Sequence, residues 1–161
     1  MERVRQASKA DLDRIGELVT DFAADRATRR GADLIQPNDG GGTPPDPTGS
    51  SLAAYVVEPT RMALVGTLDD WVAGMALCRV DVEAGERRGI LDVCFVEPGA
   101  REVGLGHLLL EQSLAWFAAQ RCNGVDGVAF PGDRLAKSFF ESAGFKARLL
   151  VMHRPIGLPD D

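Results

Sequence analysis

Arg101, Gly104 and Gly106 stand between a strand-like run, Ile90 to Val96, and an apolar helix-like segment that opens at His107. The run breaks at Glu97-Pro98-Gly99 and continues as Arg101-Glu102-Val103-Gly104-Leu105-Gly106-His107. A strand, a glycine turn and a helix N-terminus together can hold an anion. The first helical N–H groups have no backbone partner, and the helix dipole places partial positive charge there. Glycine removes the Cβ atoms that would keep a phosphate away from those donors. Arg101 adds a permanent cation whose planar fork suits phosphate oxygens. The same Gly-x-Gly also serves as a simple tight turn. The spacing does not match a dinucleotide fingerprint, which needs a third glycine and a later acidic residue. Nor does it match a nucleotide-triphosphate loop, because His107 stands where Lys-Ser/Thr would follow.

A second motif follows a short apolar run, Val125 to Phe130. It reads Asp133-Arg134-Leu135-Ala136-Lys137-Ser138-Phe139-Phe140-Glu141-Ser142-Ala143-Gly144-Phe145. Here the chain resembles the GNAT superfamily, the acyl-CoA-dependent N-acyltransferases. That family carries an Arg/Gln-x-x-Gly-x-Gly/Ala loop after its fourth strand. Further on it has a helix of the form Asn-x-x-Ala-x-x-Phe/Leu-Tyr-Glu-x-x-Gly-Phe. The matching positions are Arg101, Gly104, Gly106, Ala136, Phe139, Glu141, Gly144 and Phe145.

The resemblance implies a mixed α/β (α+β) fold. Its central twisted sheet has six or seven strands flanked by about four helices, and it splays between strands 4 and 5. It implies acetyl-CoA as the acyl donor, lying in that gap, and a primary amine of a small molecule or protein as acceptor. Arg101, Glu102, Val103, Gly104, Leu105, Gly106 and His107 would hold the pyrophosphate, and Cys94, Phe95 and Val96 the pantetheine arm. The Val96 N–H would donate to the thioester carbonyl. Asp133 and Phe140 stand where the family contacts the cofactor, and Asp92 stands where it commonly places a base. Homodimers are common in the family; association is left open here. The alternative is a CoA-binding module of the same fold without catalysis.

The chemistry sets the demands on these residues. An ordinary lysine-type amine, with a pKa near 10.4, is neutral in only roughly one molecule in two thousand at pH 7. A base, or a site that depresses the amine pKa, is therefore needed. By alternation Ile90, Asp92, Cys94 and Val96 share one strand face. An acid in such an apolar run is costly without a partner. Asp92 is read either as base or amine anchor, or as a structural carboxylate paired with Arg79 or a neighbour. Cys94 has no activating base beside it in sequence and reads as a core thiol rather than a nucleophile.

Three positions depart from the family pattern. Phe140 replaces a tyrosine that often protonates the departing thiolate. Asp133 replaces an asparagine; it suits a helix N-cap but does not favour phosphate. Glu102 puts an acid inside the anion loop. His107, His153, Tyr55, Trp71 and Trp116 are read as surface or packing residues, with His107 near enough to touch phosphate and Tyr55 to line the acceptor cleft.

The elements that must position these residues are legible in outline. Glu2 to Ala7 reads as a strand, and Ser8 to Asp11 as a capping box. Leu12, Ile15, Val19 and Phe22 recur at helical spacing, predicting a helix from Lys9 to about Arg29. A Gly/Pro-rich loop covers about 36–51, read as either a mobile surface loop or a substrate lid. Ser51 to Val57 reads as a short helix. Arg61 to Leu68 and Trp71 to Val82 form a hairpin turning at Asp69-Asp70. A helix is predicted from Gly104 to about Arg121, a strand over Val125 to Phe130, and a helix capped by Asp133 that stops at Gly144. Lys146 to Pro155 gives a final strand or bent pair.

Composition narrows the classes. The 161 residues suit a single domain with its own core. A net charge of −6 argues against nucleic-acid binding. No run approaches the ~20 apolar residues that span a bilayer, and the N-terminus lacks an apolar signal core, so a cytoplasmic location is expected. The three cysteines show no metal-type spacing, and no metal is expected.

Overall fold

The computed structural model describes residues 1–34 and 44–157. Half of the Gly/Pro-rich stretch at 36–51, residues 36–43, lies outside those residues. The first strand, β1 (Glu2–Gln6), leads into a single 3-10 turn at Lys9–Asp11 and then α1 (Leu12–Ala27). Asp11 accepts from the Ser8 N–H at 2.8 Å and from both terminal nitrogens of Arg5. α2 (Ser50–Val57) precedes three long strands, β2 (Arg61–Leu68), β3 (Trp71–Glu83) and β4 (Glu86–Val96). The β2–β3 connection takes left-handed φ values at both Asp69 (+47°) and Asp70 (+69°), the geometry that matches strand twist in a two-residue hairpin. α3 (Leu105–Ala119), β5 (Gly124–Asp126) and α4 (Arg134–Ser142) complete the order.

The strands form one sheet in the order β1-β2-β3-β4-β5, antiparallel throughout except for the parallel β4–β5 pair. α1 and α2 cover one face, where Ile15, Leu18, Leu52 and Tyr55 pack on Val65, Met75, Leu77, Val93 and Phe95. α3 covers the other, with Leu105, Leu109, Leu110 and Phe117 against Leu64, Ala76, Cys78 and Leu91. No helix among the described residues is long and apolar enough to cross a membrane.

Two features of β4 open the sheet. Leu77 pairs with Val93, but the next residue, Cys78, pairs with Leu91. Asp92 is therefore the extra residue of a β-bulge, which bends the strand and sharpens its twist. Just there β5 also leaves. It pairs only with Arg88, Gly89 and Ile90, so β4 runs on from Leu91 to Val96 without a neighbour on that side. The sheet splays between strands 4 and 5.

The ends of the chain depart from expectation for a linked reason. The strand expected over Val125 to Phe130 stops at Asp126, because β4 has bent away and offers no further ladder. Gly127 then lies against the Phe140 ring, only 2.8 Å from where a Cβ would sit. A truncated β5 leaves little edge for another strand. The stretch expected to form one, from Lys146 to Pro155, has no regular structure, and Leu149 (82 %) and Met152 (88 %) are exposed. The sheet thus has five strands among the described residues, not six or seven. α4 ends as expected: Gly144 adopts φ +86° and the Phe145 N–H returns to the Phe140 carbonyl at 3.1 Å.

The short β4–β5 contact depends on Gly89. A Cβ there would lie 2.5 Å from the Phe117 ring of α3. Gly89→Ala is expected to cost about 1–3 kcal/mol by overpacking, read as a fall in the denaturant midpoint at unchanged slope. An unchanged midpoint would show that α3 is not seated on this strand as described.

Candidate active site

The parting of β4 and β5 opens a cleft of about 530 Å³. Leu91 to Val96 form one wall and Val128 to Phe130 the other. The Ala100–His107 turn and α4 flank it, and Phe22, Arg26 and Arg29 of α1 and the turn after it close one side. Main-chain direction along the β4 wall follows from the ladder. The Glu97 N–H bonds the Ala73 carbonyl at 2.9 Å. In an antiparallel pair the next residues point the other way, so Val96, opposite Gly74, turns its N–H and C=O toward the open side. The Val96 carbonyl confirms this direction by accepting from Arg101 Nε at 2.8 Å. Cys94 follows by the same alternation. A strand edge of this kind is a template for an extended amide chain.

The wall runs straight into the glycine-containing turn at 98–107. Pro98–Ala100 makes one 3-10 turn, and Glu102 (φ +70°) and Gly104 (φ +87°) take left-handed conformations. Gly104 is needed for its backbone angle, since a Cβ there would meet nothing within 4 Å. The first bond of α3 runs from the Leu108 N–H to the Gly104 carbonyl, so the N–H groups of Leu105, Gly106 and His107 have no helical partner. Gly106 faces the cleft: a Cβ would lie 3.5 Å from Phe139 and 3.8 Å from Val96, filling the passage without displacing either. Arg101 folds back over the Phe95 ring, 5.6 Å from its centroid. The Leu105 side chain is buried against Gly66, so only its backbone faces the loop. Val103 is exposed and does not line the cleft. His107 lies edge-on to Phe139 at 5.1 Å.

α4 supplies the remaining expected positions. Asp133 caps it, accepting from the Ala136 N–H at 3.1 Å, and its other oxygen lies 3.7 Å from Arg29 Nε. Phe140 lines the cleft and packs on Phe145 at 5.1 Å. Cys94 lies in the β4 wall. Burial pushes its thiol up to about 12, so it is a protonated wall residue at neutral pH.

Asp92 is not where alternation puts it. The bulge transfers it from the Cys94–Val96 face to the face of Val93 and Phe95, beneath α2. There the Tyr55 hydroxyl donates to Asp92 Oδ2 at 2.6 Å, and Arg79 Nε reaches both carboxylate oxygens at 3.0 and 3.1 Å. Arg79 also bonds Asp81, and the Arg61 guanidinium lies over the Tyr55 ring at 5.1 Å. Burial raises the Asp92 pKa, opposed by the Tyr55 bond and by Arg79. Burial likewise pushes the Tyr55 hydroxyl well above the ordinary tyrosine value, reinforced by the Asp92 charge, so it stays a donor. Sequence spacing neither joins Tyr55 to Asp92 nor places Arg26 and Arg29 in the cleft.

A family model for the acetyltransferase (GNAT) family matches residues 15–145. The chain belongs to that family. Among solved structures, one neighbour is the aminoglycoside N-acetyltransferase AAC(6')-Iy in complex with a bisubstrate analogue, CoA-S-monomethyl-acetylneamine. It is 16 % identical, with a TM-score of 0.72 over 98 % of this chain and 99 % of that one. A predicted acetyltransferase from Clostridium acetobutylicum, solved with acetyl-CoA, is 15 % identical, with a TM-score of 0.69 over 96 % of each chain. The tetramutant of the BH1408 protein from Bacillus halodurans is 18 % identical, with a TM-score of 0.73 over 96 % of this chain and 99 % of that one. At these identities the likeness is one of fold. No curated protein matches the sequence.

The wall geometry makes Cys94 testable without any ligand. At pH 7.5 its alkylation by iodoacetamide, followed by mass spectrometry, is expected to be on the order of 10²-fold or more slower than that of an unperturbed thiol of pKa near 8.5. The rate should keep rising with pH and not level off near pH 9. Levelling there would contradict the apolar wall.

Proposed function

We propose that this protein transfers an acetyl group from acetyl-CoA to a primary amine by direct attack within a ternary complex. The observation that supports this best is the continuity of two main-chain features. The unpaired edge of β4 at Cys94–Val96 leads directly into the unpaired N–H groups at residues 105–107. An extended amide arm ending in a diphosphate needs that sequence of donors. The residues present fit such a molecule, since Gly106 leaves open a passage that a side chain would fill. In this reading Cys94, Phe95 and Val96 hold the pantetheine, and the main chain from Arg101 to His107 holds the pyrophosphate. Glu102 carries an acid in the same turn and weakens that grip. The bound thioester supplies an acyl carbon already activated toward amines.

The chain's own residues then have defined tasks. The Val96 N–H faces the open side and donates to the acyl oxygen, a contribution worth roughly 10²–10³ in rate where such donors are preorganised. Asp92 receives the amine's proton, directly or through water. A carboxylate offers about four acceptor positions. Tyr55 and Arg79 take three of them here, leaving one. Burial raises the Asp92 pKa toward the working range of a general base, whose useful pKa lies near the operating pH. Asp133 caps α4 and holds the far side of the cleft to α1 through Arg29.

Two observations favour a second reading, a CoA-binding module without catalysis. Phe140 has no proton to give a departing thiolate, and Asp92 is already heavily bonded. Thiol release from acetyl-CoA across an amine panel separates the two readings. Acetyl transfer requires amine-dependent release; CoA binding with no amine turned over would leave the module.

Asp92→Asn is expected to lower kcat by roughly 10²–10⁴-fold with CoA affinity retained. It should also remove the acid limb of the kcat–pH profile, which in the wild type lies above the usual carboxylate range. A purely structural Asp92 would instead show a lower melting temperature and an unchanged pH profile. Gly106→Val is expected to raise the Kd for CoA by at least about tenfold, the scale of one blocked contact, while leaving thermal unfolding nearly unchanged. Wild-type affinity in a folded Gly106→Val protein would remove the pyrophosphate assignment.

A further inference from the structure

The cleft has two charged ends. α4, nine residues long, separates them by about 13 Å at 1.5 Å per residue. The loop at 101–107 meets the C-terminal half of α4, where His107 touches Phe139 and lies 3.5 Å from Ser142. The N-terminus of α4 faces Arg26 and Arg29 instead. Arg29 Nε is 3.7 Å from Asp133, and the Arg26 guanidinium lies 5.8 Å from the Phe130 ring centroid. These arginines stand a helix length from the pyrophosphate loop and on the α1 side of the sheet.

Their polar atoms are underused. The Nε atoms of both are buried and have no hydrogen-bond acceptor among the described residues. Arg26 makes no ion pair among those residues, and its one hydrogen bond, to the Ala32 carbonyl, is 3.5 Å long. The nearby carboxylates belong to Arg29: Asp25 at 3.4 Å and Asp133 at 3.7 Å. Burial lowers the Arg26 pKa, with no anion to offset it, yet arginine remains a cation in proteins. A half-buried guanidinium without a counterion, lining a cleft, suits a planar oxyanion that offers two acceptors.

We propose that Arg26, flanked by Arg29, receives an oxyanionic group of the acceptor, so that the acceptor is a small amine carrying a carboxylate or phosphate. This assignment rests on the acyl-transfer reading above and narrows its acceptor. A polycationic amine would be opposed by the same two arginines.

The test compares matched acceptors: amino acids against their carboxamides, and aminoalkyl phosphates against the corresponding amino alcohols. Each is assayed as an acceptor by thiol release from acetyl-CoA, and as a ligand by calorimetry with CoA present. The anionic member of a pair should show a KM lower by roughly 10- to 100-fold, the scale of a charge-assisted hydrogen bond, with kcat little changed. The better of the carboxylate and phosphate arms identifies the anion. Arg26→Gln should erase the discrimination in a protein that still melts cooperatively, and Arg26→Lys should restore part of it. Equal use of charged and neutral members, a preference for polycationic amines, or discrimination that survives in both Arg26→Gln and Arg29→Gln would overturn the proposal. If no amine turns over but anion-selective, Arg26-dependent binding is seen, the acyl-transfer reading fails and the anion site stands. No turnover and no selective binding would overturn the anion site as well.

Discussion

The separation of β4 from β5 is the constraint on which the rest of this structure depends. Buried backbone N–H and C=O groups are costly when unpaired, and sheets normally pair them strand by strand. Here the ladder is kept for Arg88 to Ile90 and then given up from Leu91 onward. The loss is tolerable because the released edge opens onto a cleft rather than into the core. α3 makes the arrangement rigid. Phe117 sits on Gly89 just before the parting, and Leu105 sits on Gly66 just after the turn at Gly104. The helix whose N-terminus faces the cleft is therefore anchored at both of its ends to the sheet that opens it.

The bulge at Asp92 supplies the bend, and the carboxylate at its apex is held by groups from two other elements. Burial outweighs the stabilising bonds from Tyr55 and Arg79, and the folded-state pKa is raised. The native protein therefore binds this proton more tightly than the unfolded chain, and stability falls as pH rises from the unfolded value, near 3.9, through the folded one. Ionisation of Asp92 opposes folding. Asp11 has the opposite sign: its bonds from Arg5 depress its pKa, so its contribution is present above the unfolded value and lost in acid. One acid supports a helix start. The other is kept at a cost to stability, which is the usual position of a group retained for chemistry or for register.

What the sequence made legible was local. Arg101, Gly104 and Gly106 could be read because a turn, a helix start and its capping residues lie within a few positions of one another. Asp133 and Gly144 mark the ends of α4 for the same reason. Alternation failed at Asp92, because a bulge is a two-strand event and leaves no local mark in Ile90–Val96. The final strand or bent pair expected over Lys146 to Pro155 does not form, because a strand needs an edge to pair with and β5 ends at Asp126. Tyr55 could not be joined to Asp92 across a separation of 37 positions. A further signal lies along α1 itself. The apolar stripe of α1, Leu12, Ile15, Val19 and Phe22, continues in the same three-four rhythm to Arg26 and Arg29. Arginines that extend an apolar helix face sit where the next buried residues would be, and in this fold that place is the cleft.

The two ends of the cleft are charged by different means, and this bears on how such a fold tolerates sequence change. The loop end relies on main-chain N–H groups oriented by φ at Glu102 and Gly104 and by the start of α3. Any residue except proline supplies an N–H, so this end needs only a few glycines and a helix in the right place. The α1 end relies on arginine side chains, and its chemistry changes with each substitution. Neighbours that keep the backbone at TM-scores of 0.69–0.73 share only 15–18 % of residues with this chain. A site divided in this way can keep its main-chain end while its side-chain end changes. The net charge of −6 then says little about the ligand. The charge that matters is local, and in the cleft Arg26 contributes it without a paired carboxylate among the described residues.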